Sequence, residues 1–127
     1  MGKPIFDLET QLLRVRSICL AMPEVTERPS HSAPSFFIQA KKCFVMFIDN
    51  HHGDGNRGLW CAAPPGEQEA LVAAEPERFF RPPYVGGRGW LGVRLDDAMD
   101  DDELEEIVVE AWRMIAPKRL LQTFDAL

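Results

Sequence analysis

Leu8, Leu12, Val15, Cys19 and Met22 recur at spacings of three and four, which puts them on one face of a helix. Asp7 stands just ahead of them, a residue type that caps helices by accepting from free backbone amides. Pro23 drives the residue before it out of the helical region, so the pattern predicts a helix from about Asp7 that Pro23 closes. The period then shortens to two. The polar segment Thr26–Ala33 contains Pro29, which cannot donate to a ladder and marks an edge strand. Ser35–Gln39 reads as a second strand, Ala40-Lys41-Lys42 as a tight polar connection, and Cys43–Ile48 as a third strand. Both alternating sets of that third strand, Cys43/Val45/Phe47 and Phe44/Met46/Ile48, are apolar, as in a strand buried on both faces. Gly, Asn and Asp in Asp49–Gly58 turn the chain, and Leu59–Ala62 makes a fourth strand.

Pro64-Pro65-Gly66 interrupts the sheet. A short helix over Glu67–Glu75 closes at Pro76, Glu77–Phe80 reads as one further helical turn, and Arg81–Gly89 as a loop. Trp90–Leu95 alternates, with Leu91, Val93 and Leu95 on one side and Trp90, Gly92 and Arg94 on the other, the pattern of a half-buried strand. Leu104, Ile107, Val108, Ala111, Trp112 and Ile115 form the apolar stripe of a last long helix over Asp101–Ala116. Pro117 ends it, and Lys118–Leu121 reads as a final turn. Grouped strands with flanking helices predict an α+β fold, a two-layer sandwich whose antiparallel sheet carries the N- and C-terminal helices on one face. Leu12, Val15, Val45, Phe47, Val93, Leu104, Val108 and Ile115 are the expected core.

The chain of 127 residues suits a single domain over 1–127 with its core in about 7–121. A domain of that size buries roughly two thirds of its unfolded surface, so neither disulfide nor metal is needed for folding. The N-terminus Met1-Gly2-Lys3-Pro4-Ile5-Phe6-Asp7 shows no apolar leader, and no apolar run approaches the roughly 20 residues of a membrane-spanning helix. Cys19, Cys43 and Cys61 lie in separate apolar stretches without a CxxC pair. They read as buried, reduced thiols of a cytoplasmic protein. The net charge is −6, yet Asp96–Glu110 alone holds nine acids and no base. The remaining 14 bases and 11 acids leave +3 elsewhere, so the surface is polarised.

Several groupings invite chemistry. Asp49, His51, His52 and Asp54 share one loop, and divalent metals accept such ligands; ordinary turn chemistry explains the same residues, and no metal is expected. Gly86-Gly87-Arg88-Gly89 could cradle a phosphate with its amides, although it matches neither the dinucleotide nor the P-loop pattern. His31 stands near Ser30, Ser32 and Ser35, but without a GxSxG elbow or an orienting acid a Ser-His hydrolase is not expected; a hydrogen-bonded His on a half-buried strand is. Trp90 and Arg94 on the outward side of one strand, with Arg88 nearby, could stack bases and neutralise phosphates. The bland alternative is that long side chains simply shield the sheet.

His31, Pro34-Ser35-Phe36, Lys41-Lys42-Cys43-Phe44, Leu59-Trp60-Cys61, Ala63-Pro64-Pro65-Gly66, the helix Gln68–Ala74 with Pro76 after it, Arg88-Gly89-Trp90-Leu91-Gly92-Val93-Arg94-Leu95 and Ala116-Pro117-Lys118-Arg119-Leu120 stand in an order and spacing that resembles the bacterial MmcQ/YjbR-like family from about Leu12 to Leu121. The resemblance implies a sheet-and-helix sandwich of frataxin-like plan and a role in DNA binding through a double-wing arrangement. It supplies no catalytic residues. The acid run Asp96–Glu110 falls on the last helix and the turn before it, not on a first-helix ridge like that of frataxin-like iron binders. Helix capping and solubility account for it.

The expected function is a non-enzymatic, cofactor-free binding module for DNA, weak and electrostatic, with Lys41, Lys42, Arg88, Trp90, Arg94, Lys118 and Arg119 as candidate contacts. The alternative is a module for a small anionic ligand or a protein partner on the same sheet face; a cytoplasmic enzyme comes third. No membrane partner is expected.

Overall fold

A computed structural model describes residue 2 and residues 4–126. The leader reading also involves Met1 and Lys3, which with Leu127 lie outside the described residues. In chain order the elements are α1 (Leu8–Cys19), β1 (Val25–Ser30), β2 (Ala33–Ile38), β3 (Lys42–Asp49), β4 (Arg57–Cys61), α2 (Glu67–Ala74), β5 (Phe79–Phe80), β6 (Leu91–Arg94), α3 (Asp101–Ile115) and α4 (Lys118–Asp125), with short 3-10 turns at His51–Gly53 and Val85–Arg88. The strands make one sheet in the order β1-β2-β3-β4-β6-β5, antiparallel throughout. This is the expected α+β plan. Among the described residues no helix is long and apolar enough to cross a membrane.

Asp7 caps α1. Its Oδ2 accepts from the Thr10 amide at 3.0 Å and from the Thr10 hydroxyl at 2.6 Å, bonds that hold the carboxyl below its ordinary pKa. The helix stops at Cys19, ahead of Pro23. α1 and α3 lie on the sheet face that carries Val45, Phe47, Leu59, Leu91 and Val93, all buried. Trp112 of α3 is fully enclosed, and its Nε1 donates to the Pro23 carbonyl at 3.1 Å. Arg14 of α1 ties down the start of α3: its guanidinium donates to Asp101 Oδ1 and to the carbonyls of Asp96 and Met99. Most of the expected core is buried, but Leu12 and Ile115 are only half-buried, because both sit at the margin of the helix–sheet contact.

β1 is the edge strand expected from Pro29, and β3 is central. Across β2 the register moves from Phe36↔Val45 to Phe37↔Cys43, which leaves Phe44 as an extra residue in a bulge. Its ring is fully buried, so the bulge as well as the central position explains an unbroken apolar run. Three local readings are corrected. Glu77–Phe80 is not a helical turn: Phe79 and Phe80 pair with β6 as an outer strand. Lys118–Leu121 extends into an eight-residue helix. His31 is not on a half-buried strand. His31 and Ser32 are exposed, with φ of 51° and 66°, and link the Ser30↔Ala33 pair as the two-residue turn whose twist suits a hairpin.

The three cysteines are free. Burial raises the pKa of all three thiols, and pushes that of Cys61 to about 12. Such thiols are poor nucleophiles, since the thiolate is the reactive form.

Candidate nucleic-acid interface

The second sheet face carries Ser35, Phe37, Met46, Ile48, Trp60 and Phe80. Ser35, Phe37, Ile48 and Trp60 are buried even though the described helices pack elsewhere. Two loops and a set of guanidinium groups provide the cover. The His51 ring meets the Trp60 ring edge-on at 5.2 Å, and the Tyr84 ring lies 6.3 Å from it. Phe80 lies across Gly92, where a Cβ would collide with its ring. Arg28 stacks over Phe37 at 3.6 Å, Arg94 over Phe80 at 5.0 Å and Arg88 over Trp90 at 5.2 Å. An arginine over an aromatic ring shields it while keeping its charge at the surface.

The cations are unevenly placed. Arg28 donates to the Ala40 carbonyl at 2.9 Å, which sets it beside the β2–β3 connection bearing Lys41 and Lys42, both exposed. Arg88 lies at the same end: it stacks over Trp90, which precedes Leu91, and Leu91 pairs with Cys61 opposite Val45, two residues from Cys43. Among the described residues none of Arg28, Lys41, Lys42 and Arg88 has an ion-pair partner. Four uncompensated cations thus gather at one end of the sheet. Lys118 and Arg119 start α4, and Arg119 is linked to this end through Glu24, at 3.7 Å, whose carboxylate also accepts from Gln39.

Two expected contacts do not join this group, Arg94 by position and Trp90 by burial. Arg94 pairs with Gly58 at the opposite end of its strand and donates to Asn56 and to the Pro76 carbonyl. Trp90 is 5 % exposed and so offers no open ring for stacking; the loop 81–89 folds back to enclose it. Buried Gln68 holds that fold, donating to the carbonyls of Gly86 and Trp90 at 2.9 and 2.5 Å. Arg28 was missed as a contact, although the alternation of β1 could have placed it outward beside Thr26. Tyr84 was missed too. It is 76 % exposed, with φ 63° and ψ −64°, and the Val85 amide donates to the Pro83 carbonyl across it. That is the strained form of the three-residue turn.

The other groupings resolve into structural roles. Asp49 pairs with Arg57 at 2.9 Å, while Asn50 and Asp54 accept from the amides of Gly55 and Asn56. Among the described residues no three His, Cys, Asp or Glu side chains converge as metal ligands would. The hydroxyl of buried Ser35 donates to the Ala33 carbonyl and not to His31.

The model of the YjbR family matches residues 20–114 of the chain. The chain belongs to the YjbR family. Its sequence is 43 % identical over 61 residues to Mycobacterium tuberculosis Rv2570 and to Mycobacterium bovis Mb2600, each described as an uncharacterized protein. That match covers 48 % of this chain and 46 % of theirs, so it spans about half the length of these relatives. The fold is shared with the crystal structure of Deinococcus radiodurans protein DR2400, a DUF419 domain, at a TM-score of 0.70 and 18 % identity over 86 % of this chain and 80 % of that one.

Proposed function

We propose that this YjbR-family protein is a non-enzymatic binding module that holds nucleic acid weakly through the basic end of its sheet. The observation that carries the reading is that Arg28, Lys41, Lys42 and Arg88 lie at one end of the sheet, uncompensated among the described residues. Phosphate attracts such a group wherever the local field outweighs the net charge of −6. α3 cannot share the contact, because its acids repel phosphate. Four cations without a base-reading helix give affinity without sequence preference. If they neutralise about four phosphates, log affinity for duplex DNA falls against log salt with a slope of about −3.6. Anisotropy titrations of a labelled random-sequence duplex at several salt concentrations measure that slope. Dissociation constants should fall in the non-specific range of about 10⁻⁴ to 10⁻⁶ M at physiological salt. No binding at about 50 mM salt removes the nucleic-acid reading, and tight, salt-insensitive binding to one sequence removes the electrostatic one.

A further inference from the structure

A second concave surface lies on the helix-bearing face of the sheet, at the end where the Ala62 amide donates to the Phe44 carbonyl. The Pro64–Glu67 turn and α2 form one wall and α3 the other, enclosing about 1230 Å³. Leu71 and Ile107 line it over Phe79 and Leu91. Phe79 and Leu91 are sealed, but Leu71 and Ile107 are only half-buried and keep apolar surface in water. The rim is of one sign. Glu67, Asp102, Glu105, Glu106 and Glu110 border the groove with no cation beside them in the lining, while Glu103 is taken by Arg78 at 2.6 Å.

Capping explains only part of this rim. Asp101, Asp102 and Glu103 lie in the first turn of α3, where the macrodipole favours acids, but that effect falls off within one turn. Asp102, Glu106 and Glu110 follow one another at i, i+4 and i+8. Like charges at i,i+4 each cost about 0.2–0.5 kcal/mol. The free protein therefore carries a repulsive row of acids next to half-buried apolar side chains.

We infer that this groove is a docking site for a basic amphipathic helix of a partner protein. Laid in the groove, the helix covers Leu71 and Ile107 with its apolar face. Lysines or arginines flanking that face meet the carboxylate rim and relieve its repulsion. The same charges repel nucleic acid, so this site takes a ligand of opposite charge to that of the basic end.

The test uses the full chain and a labelled synthetic helix with Leu at i, i+3, i+4 and i+7 and Lys elsewhere. A scrambled peptide of the same composition has the same charge but no apolar face. The amphipathic peptide is expected to bind at least about tenfold more tightly than the scrambled one. The variant Glu105→Gln/Glu106→Gln/Glu110→Gln should lose about tenfold, while Glu9→Gln/Glu69→Gln/Glu77→Gln, equal in charge change but outside the groove, should stay within about twofold. All six positions are exposed, so folding is not at stake. Equal affinity for the two peptides, equal losses in the two variants, or no binding at about 100 μM peptide overturns the assignment. So does peptide-free self-association that the groove variant abolishes, since the occupant is then a second copy.

Discussion

Gly58→Ala is expected to destabilise the protein by about 3 kcal/mol, at the upper end of ordinary overpacking. Gly58 lies in β4 opposite Ile48 of β3 and Arg94 of β6. A Cβ there would overlap the Val93 carbonyl oxygen and stand 2.9 Å from the Leu95 nitrogen. Both obstacles are backbone atoms of the neighbouring strand segment, so no side-chain rotation relieves the clash. β4 and β6 must part locally, which breaks pairing in the middle of the sheet and opens the ladder beside buried Leu59 and Val93. Urea unfolding read by circular dichroism measures the loss. Gly87→Ala is the control: its Cβ would meet only Arg81 Nη2, at 3.9 Å, and its effect should stay within about 0.5 kcal/mol. A Gly58→Ala midpoint equal to that of the control would show that the β4–β6 approach is looser than described.

The largest functional effect belongs to the basic end. Lys41→Glu/Lys42→Glu/Arg88→Glu is expected to weaken binding to duplex DNA at about 50 mM salt by at least about 100-fold, since each phosphate contact contributes about −0.9 to the salt slope. The three residues are exposed and unpaired among the described residues. Arg28 is left unchanged because it also shields Phe37. Lys118→Glu/Arg119→Glu should cost less, because Glu24 already offsets Arg119. The same titrations, with thermal unfolding to verify the fold, decide the comparison. Equal losses in the two variants would move the interface toward α4.

The sequence disclosed what local chemistry and period control. The Asp7 cap, the edge position forced by Pro29, the central β3 and the apolar stripe of α3 all follow from interactions within a few residues or from simple alternation. The misread segments depend on distant partners. Phe79-Phe80 is too short to show a period, and only β6 makes it a strand. His31-Ser32 lacks the Asn-Gly signature of its turn, so the hairpin register hid the link from Arg28 to Phe37. The alternation of β6 put Trp90 outward correctly, but no local pattern reveals that the loop 81–89 closes over it. The acid run was legible as a charge cluster. Its groove was not, because Leu71 of α2 and Phe79 of β5 stand far from α3 in the chain and only the fold sets them across from it.

The most direct test of the basic end as the binding surface is an amide chemical-shift titration of the labelled protein with a short random-sequence duplex at low salt. Perturbations should centre on Arg28, Lys41, Lys42, Cys43 and Arg88 and fade as salt is raised, with α3 unmoved. Shifts centred on Asp101–Glu110, or none at the basic end when the duplex is bound, would contradict it.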